Sequence, residues 1–459
     1  AIDARRRAAR PAGVPPARRD PVEPRANIAK RMSRHPTTSS ARERAALVRL
    51  TTRATRTIES AAALDELEGL ARAAGAEVVL RVAQERDAVD PGTLIGRGKA
   101  GMLAAAAAEA DVDLVIVDNE LTPAQAKNLE KLIGRRVIDR TALILDIFAR
   151  RARTREGQLQ VELAQLKYML PRLAGSSTAL SRLGGGIGTR GPGETKLETD
   201  RRRIRQRIAA LEQEIAAVRR RRGYLRARRR REQTPVVALV GYTNAGKTTL
   251  FNQLTGAGAV ASDALFVTLD PLVRRVRLGS SGQVLLTDTV GFIDRLPHQL
   301  VAAFHATLEE VAAADLLLHV IDAAAPDRDR HMAAVDSVLR EVGADHVPLL
   351  LVFNKADRLS HAEREAIAAR YPGAFLVSAR DGSGLTTLVE AIARQLAADR
   401  TRIVLELDRS DEGDRALLAD LYRHGRVVSF ESGTDDVVSI EADVPRRLVE
   451  RYVRSSRTA

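Results

Sequence analysis

The sequence predicts a multidomain α/β protein with four folded parts: a small α/β domain, an antiparallel helical hairpin, a doubly wound α/β domain and a small α+β domain. Three observations predict this fold class. Strand-like and helical segments alternate along most of the chain, two helical segments carry apolar seams, and one apolar strand leads into a phosphate-loop pattern. With 459 residues, the chain is also too long for a single core.

The composition restricts partners and compartment. A net charge of +14, from 73 basic and 59 acidic residues, favours a polyanionic partner. Aromatic residues make up 3% with no Trp, which argues against recognition by base stacking. The absence of Cys excludes disulfides and Cys-ligated metals and fits a reducing compartment. Neither a secretory signal nor an apolar run of about 18 residues is present, so we expect a cytoplasmic protein without a membrane span.

The N-terminal region divides into an arm and a domain. Residues 1–43 are rich in Pro, Arg and Ala and predict a disordered basic arm, although a solvated tail without function fits as well. In residues 44–148, strand-like runs at 46–50, 77–80 and 113–117 alternate with helical runs at 59–73, 98–110 and 123–133. This alternation predicts a mainly parallel sheet. The loop 96–99 opens a helix and is either a simple turn or an anion site.

Residues 149–232 predict a helical hairpin. The first apolar seam steps by four and three residues through Leu159, Leu163, Leu166 and Leu170, and the second through Ile204, Ile208, Leu211, Ile215 and Val218. Such seams favour antiparallel packing of the two helices. Two isolated helices that lie on other domains are the alternative.

The connection between these helices is unusually rich in glycine. Residues 175–193 form either a binding tip at the end of the hairpin or a flexible linker. A dense arginine block follows at 219–231, where nearby phosphates would relieve the repulsion between like charges; a solvated face is the alternative. The candidate RNA-binding residues are Arg182, Gly184, Gly185, Gly186, Arg190, Lys196, Arg219, Arg220, Arg221 and Arg222.

Residues 233–397 predict a nucleotide-binding domain. The strand 236–240 runs straight into Gly241-Tyr-Thr-Asn-Ala-Gly-Lys-Thr248, which is a phosphate loop in its required strand–loop–helix context. Its backbone N–H groups are expected to surround the β-phosphate, with Lys247 on the β- and γ-oxygens. The expected nucleotide-binding residues of this loop are Gly241, Tyr242, Thr243, Asn244, Ala245, Gly246, Lys247, Thr248 and Thr249.

Two further segments predict a magnesium ion and a γ-phosphate contact. The strand 284–287 ends in Asp288-Thr-Val-Gly291, and Thr268 lies between the phosphate loop and this strand. We expect Thr248, Thr268 and Asp288 to hold Mg²⁺, and Lys247, Thr268 and Gly291 to act in catalysis. Phe292 stands where some enzymes of this kind carry a water-orienting Gln, so intrinsic hydrolysis should be slow.

The base-binding residues follow two later strands and predict guanine. The Asp357 carboxylate of Asn354-Lys-Ala-Asp357 suits the two N–H donors on one edge of guanine, whereas adenine lacks such a pair. Asn354, Lys355, Asp357, Ser378 and Ala379 are the expected contacts, and GTP is the expected ligand.

Residues 398–459 predict a small α+β domain in the order β-α-β-β-α. Its strand-like runs are 403–407, 427–430 and 437–440, and its helical runs are 414–422 and 445–453.

The chain from about residue 45 onward resembles the HflX family of the Obg-HflX superfamily, within the TRAFAC class of GTPases. The resemblance rests mainly on Ser181-Arg-Leu-Gly-Gly-Gly-Ile-Gly-Thr-Arg-Gly-Pro-Gly-Glu-Thr-Lys-Leu-Glu-Thr-Asp200, joined by the phosphate loop, 268–270, 288–293 and 354–357. It implies a stress-linked GTPase that acts on the large ribosomal subunit and its rRNA and dissociates or rescues stalled ribosomes. It also implies that the hairpin loop reaches the peptidyl-transferase region and that ribosomes stimulate hydrolysis.

One alternative stays open beside this reading. The chain fits a GTP-gated ribosome-assembly or RNA-binding factor without splitting activity. In either case we expect a ribosome-associated monomer that does not bind DNA.

Overall fold

The computed structural model describes residues 42–53, 60–173, 192–232, 234–259, 265–278, 282–294, 310–398, 400–433, 436–445, 449 and 452–453. The predicted basic arm and the Gly-rich loop lie outside these ranges, apart from the last two residues of each. Within them the chain forms a four-stranded, a six-stranded and a three-stranded sheet, which confirms the predicted multidomain α/β fold. No helix of this described part has the length and apolar character needed to cross a membrane.

The N-terminal α/β domain is a parallel sheet in the order β2-β1-β3-β4. All four residues of β3 are buried, as expected for a parallel strand covered on both faces. The strands are β1 (Arg44–Thr51), β2 (Glu77–Glu85), β3 (Leu114–Val117) and β4 (Arg136–Asp139), and the helices are α1 (Ser60–Ala73), α2 (Arg97–Glu109), α3 (Pro123–Ile133) and α4 (Arg140–Arg151).

The strand β4 and the helix α4 were not predicted from the sequence. Asp139 ends β4 and its side chain accepts the Ala142 N–H at 2.8 Å, so that it also begins α4. Because one residue serves both elements, no turn residues separate them. The domain boundary placed after residue 148 consequently falls inside α4.

The hairpin consists of α5 (Arg155–Arg172) and α6 (Pro192–Glu232). Leucines 159 and 163 of α5 pack with Leu211 and Ile215 of α6. Arg155 pairs with Glu214, whereas Glu162 accepts two 2.8 Å bonds from Arg207. The partner number falls as the α5 number rises, so the helices are antiparallel as predicted, and the alternative of two isolated helices is wrong.

The third domain is a six-stranded sheet in the order β10-β9-β8-β5-β7-β6, parallel except for β6. Alternate residues of β5 pack into apolar clusters on opposite faces, which confirms the doubly wound arrangement. The strands are β5 (Val236–Val240), β6 (Leu272–Arg277), β7 (Gln283–Asp288), β8 (Leu316–Asp322), β9 (Leu349–Asn354) and β10 (Phe375–Leu376), and the helices are α7 (Lys247–Thr255), α8 (Arg328–Glu341), α9 (His361–Arg370) and α10 (Leu385–Ala398).

The C-terminal domain is an antiparallel sheet in the order β11-β13-β12 with one described helix against it. Its elements are β11 (Arg400–Asp408), α11 (Glu412–His424), β12 (Arg426–Ser432) and β13 (Val437–Pro445). The predicted last helix, 445–453, falls mostly outside the described residues.

The N-terminal and third domains share one apolar core. Leu64 of α1 and Phe148 of α4 lie in the same buried cluster as Phe266, Phe292 and Val335. The rings of Phe148 and Phe266 meet edge to face, with centroids 4.7 Å apart at 80°. A contact of this kind contributes about 0.5–1.5 kcal/mol beyond its buried area. The segment that contains Phe266 is thereby packed against the N-terminal domain.

Candidate nucleotide-binding site

The phosphate loop connects β5 to α7 at the carboxyl edge of the sheet. Gly241 has φ 150° and a Cβ there would lie 2.1 Å from the Val320 carbonyl oxygen. Gly246 has φ 87°, and a Cβ would lie 2.2 Å from Asn354 Nδ2. Both glycines are therefore required by positive φ and by close approach of neighbouring strands. The loop is tight because the sheet edge leaves no room for side chains.

Lys247, the first residue of α7, points back into this loop. Its ammonium group donates to the carbonyl oxygens of Gly241 at 3.0 Å and Tyr242 at 2.8 Å. Burial lowers the pKa of Lys247 to about 8, against the opposing effect of the Asp288 carboxylate. A buried ammonium group whose hydrogen-bond partners among the described residues are two carbonyl oxygens is poised to bind an anion such as a phosphate.

Three oxygen-bearing side chains meet beside the loop. Thr248 Oγ1 lies 2.8 Å from Thr268 Oγ1 and donates to Asp288 Oδ2 at 2.7 Å, while Thr268 Oγ1 lies 3.1 Å from the same carboxylate oxygen. Burial raises the pKa of Asp288, although Lys247 opposes the shift. The other oxygen, Asp288 Oδ1, is buried and has no hydrogen-bond partner in the described part of the chain. Oxygen-only donors with one unused carboxylate oxygen fit a hard divalent cation such as Mg²⁺.

Gly291 and Phe292 follow Asp288 and lie against the loop. A Cβ on Gly291 would lie 2.8 Å from Thr243 Cγ2 and 3.1 Å from Lys247 Nζ, so only glycine fits there. The Phe292 N–H donates to the Gly241 carbonyl at 3.1 Å, and the Phe292 carbonyl accepts the Thr243 N–H at 2.7 Å. The Phe292 ring is buried in the shared apolar core. The side chain therefore packs in the interior, and its apolar ring offers no hydrogen bond to a water molecule.

The residues after β9 and β10 meet at the other end of the site. Asn354 is buried and bridges two loops: its Nδ2 donates to the Ala245 carbonyl at 2.9 Å, and its Oδ1 accepts the Ala379 N–H at 2.9 Å. The Asp357 carboxylate is exposed and accepts the Ser378 hydroxyl at 2.9 Å. Lys355 has φ 64° and pairs with Asp322 at 2.7 Å. The structure thus brings these residues together and shows Asn354 as a brace between loops.

The candidate RNA-binding residues are placed only in part. Lys196 and residues 219–222 lie on α6. The others, Arg182, Gly184, Gly185, Gly186 and Arg190, lie outside the described residues.

Sequence reasoning missed two sets of contacts around the site. The Tyr242 hydroxyl binds Glu66 of α1, and Asp270 binds the start of α5. Both contacts join residues far apart in the chain, so no local motif shows them. The only available signal was the position of Tyr242 inside the phosphate loop and of Asp270 two residues after Thr268.

Three consecutive parts of the chain match protein-family models, and the match of the third domain defines the class of protein. Residues 236–355 match the model described as a 50S ribosome-binding GTPase. Together with the strand–loop–helix geometry around Lys247, this match makes the third domain a P-loop GTPase domain. Residues 61–149 match a GTP-binding GTPase N-terminal model, and residues 151–229 match its middle-region model.

Relatives at high identity give the family. The chain is 49% identical over 391 residues to GTPase HflX of Caldanaerobacter subterraneus subsp. tengcongensis, covering 84% of this chain and 89% of that protein. It is 46% identical over 384 residues to GTPase HflX of Escherichia coli, covering 83% and 89%. The chain belongs to the HflX family and is a GTPase.

A solved structure is also similar to this chain. It is a GTP-binding protein from the archaeon Sulfolobus solfataricus in complex with GDP, with 25% identity, a TM-score of 0.41, and coverage of 77% of this chain and 98% of that one. The family assignment depends on the sequence relatives.

Proposed function

We propose that this GTPase binds the large ribosomal subunit in its GTP state, dissociates or rescues stalled ribosomes, and is reset by hydrolysis. One observation carries the proposal: the segment that supplies Thr268 to the nucleotide site also supplies Asp270 to the base of the hairpin. A change at the γ-phosphate therefore has a short route to the hairpin. The match of the GTPase domain to a 50S ribosome-binding model supports the choice of partner.

In this proposal the phosphate loop holds the nucleotide through the backbone of residues 241–249. Lys247 exchanges its two carbonyl partners for β- and γ-phosphate oxygens, and Gly291 presents its N–H to the γ-phosphate. Thr248, Thr268 and Asp288 would hold Mg²⁺, which would offset the negative charge of the phosphates. The Thr268 hydroxyl would coordinate the ion only while a γ-phosphate is present, and Thr268 would thereby report the GTP state to the rest of the molecule.

Base recognition is assigned to the loops after β9 and β10. Asp357 accepts the two guanine donors, Asn354 and Lys355 shape the pocket, and Ser378 and Ala379 present backbone groups to the guanine carbonyl. Support comes from the 2.9 Å bond by which Ser378 orients the Asp357 carboxylate. A carboxylate held in this way rejects adenine, because adenine would leave it unpaired.

The hairpin is the proposed arm that contacts rRNA. Salt bridges join α5 to α6, including the bidentate pair in which Arg207 donates two hydrogen bonds to the Glu162 carboxylate. Its loop would provide Arg182, Arg190 and close backbone approach at glycines 184–186, and residues 196 and 219–222 would add charge. If these arginines contact phosphates, replacing four of them in 219–231 should weaken the salt dependence of binding. The slope of log affinity against log salt concentration should become less steep by about 0.9 for each lost contact.

The test is a sucrose-gradient profile of intact ribosomes mixed with the full chain and a non-hydrolysable GTP analogue. We expect separated subunits, with the chain in the large-subunit fraction, and intact ribosomes when GDP replaces the analogue. Replacing glycines 184–186 by Ala should abolish separation and leave GTP affinity unchanged, because the phosphate loop is a separate structure. Ribosomes that stay intact with the chain bound would overturn splitting and support the assembly-factor alternative.

A further inference from the structure

The backbone of Asp294 is held from both sides. Its N–H donates to the Tyr242 hydroxyl oxygen at 2.8 Å, and its carbonyl accepts Arg140 Nη2 at 3.2 Å. Asp294 lies three residues after Gly291, at the end of the segment 288–294, which begins with Asp288. Tyr242 comes from the phosphate loop, whereas Arg140 comes from the N-terminal domain. The two domains therefore both hold the backbone of this one residue, the phosphate loop at its N–H and the N-terminal domain at its carbonyl.

Tyr242 and Arg140, the two side chains that bind the Asp294 backbone, both donate to the Glu66 carboxylate. Glu66 Oε2 accepts the Tyr242 hydroxyl, and Glu66 Oε1 accepts Arg140 Nη2. Arg140 is buried and also donates to Asp118 Oδ1 at 3.0 Å, which fixes the guanidinium plane. Glu66 is 13% exposed and stands on α1, in the N-terminal domain. One side chain of that domain therefore orients both groups that hold Asp294.

The Tyr242 hydroxyl can serve both of its partners at once. Burial and then the Glu66 charge raise the pKa of Tyr242, so the phenol keeps its proton. The hydroxyl donates that proton to Glu66 and accepts the Asp294 N–H on its oxygen. The ring is anchored separately, since it stacks on His331 with centroids 3.8 Å apart at 14°. Removing the hydroxyl alone should therefore leave the ring in place.

We propose that Glu66 is a positioning residue for GTP hydrolysis, which holds Tyr242 and Arg140 so that they clamp the Asp294 backbone and fix segment 288–294 beside the phosphate loop. Phe292 attaches this segment to the loop through two backbone bonds, and the clamp at Asp294 fixes its far side. Gly291, which is proposed to present its N–H to the γ-phosphate, lies between Asp288 and the clamp. A segment fixed in advance lowers the reorganisation needed in the transition state.

The inference concerns the isolated GTPase reaction and does not depend on the proposed action on ribosomes. Its test uses the full chain with GTP and Mg²⁺ and no ribosomes. The variants are Glu66→Gln, Tyr242→Phe and the double variant, and the readouts are kcat, KM for GTP, GDP affinity and thermal midpoint. Asp65→Asn is the matched control, because Asp65 is the neighbour on α1 and pairs with Arg81 on the surface.

Each single variant should lower kcat by about 3- to 10-fold, as expected for one lost hydrogen bond in a positioned network. KM for GTP and the GDP affinity should stay within about 2-fold, because neither change alters the backbone of the phosphate loop, through which Tyr242 is proposed to hold the nucleotide. The double variant should be no slower than the slower single variant, since both changes break the same chain of contacts. Asp65→Asn should match the parent chain in every readout.

Three results would overturn the proposal. The first is an unchanged kcat in both single variants. The second is an additive loss in the double variant, which would mean that the two residues act independently. The third is a fall in kcat matched by an equal loss of GDP affinity and a lower thermal midpoint, which would assign Glu66 a purely structural role.

Discussion

Asp270 caps the start of α5, where it binds Thr154, the N-cap residue of that helix. Its Oδ2 accepts the Thr154 N–H at 2.8 Å and the Arg153 N–H at 2.9 Å, and its Oδ1 accepts the Thr154 hydroxyl. The Thr154 hydroxyl oxygen in turn accepts the Gly157 N–H at 3.1 Å. Asp270 lies two residues after Thr268, so the nucleotide site and the base of α5 are joined by a single short segment.

Removing this cap should destabilise the protein. Asp270→Ala deletes acceptors for two backbone N–H groups and one hydroxyl, and we expect a loss of about 1–2 kcal/mol in the free energy of unfolding. Urea titration of the full chain measures it. Asp345→Ala, at an exposed acid of the same domain, should change stability little. Equal stability of the Asp270 variant and the parent would show that the cap contributes nothing.

A substitution at Gly157 tests the contact between Asp270 and the start of α5 in a second way. A Cβ at this position would lie 2.5 Å from Asp270 Oδ1, so Gly157→Ala should disrupt the cap and destabilise the parent chain. In the Asp270→Ala background the shortest contact is gone and only the Thr154 hydroxyl, at 3.3 Å, remains close, so the same change should stabilise the helix by up to about 1 kcal/mol through its better propensity. Urea titrations of the four proteins measure this reversal. The same sign in both backgrounds would refute the contact.

Nucleotide affinity should depend on pH through Lys247. Burial lowers its pKa to about 8, and bound phosphates would raise the pKa again. Affinity for GDP should therefore be constant below about pH 8 and fall above it by up to about tenfold per pH unit as the amine loses its proton. Lys247→Arg, which stays charged, should bind more weakly but without this fall. GDP affinity of the parent that stays flat to about pH 9.5 would contradict the assignment.

Acid stability should depend on His319, which is buried on β8. Burial and then the Lys247 charge lower the pKa of His319 to about 4, from an ordinary value of 6.5. The unfolded chain binds this proton more readily, so stability is complete above about pH 6.5 and falls by about 3 kcal/mol as the pH drops to 4. His319→Leu should remove that part of the loss, whereas His361→Gln, at an exposed position, should not. If the free energy of unfolding of the parent and of the Leu variant depended on pH in the same way, this prediction would be wrong.

Guanine selectivity should depend on Asp357. Asp357→Asn replaces one acceptor oxygen by a donor and should weaken GTP binding by roughly 100-fold, because two charge-assisted hydrogen bonds are affected. The variant should instead accept xanthosine triphosphate, whose base presents the complementary pattern. Competition against labelled GDP measures both affinities. Unchanged GTP affinity would remove the basis for the guanine assignment.

Local patterns were enough to predict the elements that surround the nucleotide. The strand before Gly241 and the strand that ends at Asp288 are short apolar runs that stop at a motif, and each motif lies where the parallel sheet ends. The apolar seams of α5 and α6 likewise predicted their contact, because residues at spacings of three and four must share one face.

Other elements lacked such a signal. β6 reads Leu-Val-Arg-Arg-Val-Arg and is an antiparallel edge strand, so its three exposed arginines interrupt the apolar pattern. β8 is almost fully buried between β5 and β9. Its apolar run is interrupted by His319, and no Gly or Pro directly flanks the run to show where the strand begins and ends. Contacts such as Glu66 to Tyr242 join residues 176 positions apart. Only the packing of two domains determines such pairs, and no spacing rule reaches that far.

Phosphate release is the most direct test of the proposal that this GTPase acts on the large ribosomal subunit and that the subunit stimulates its hydrolysis of GTP. The measurement compares the chain alone, with purified large subunits and with small subunits, under one GTP and Mg²⁺ concentration. Because Phe292 cannot orient water, the chain alone should be slow, and large subunits should accelerate it strongly while small subunits do not. Fast release by the chain alone, or equal rates with both subunits, would contradict the account.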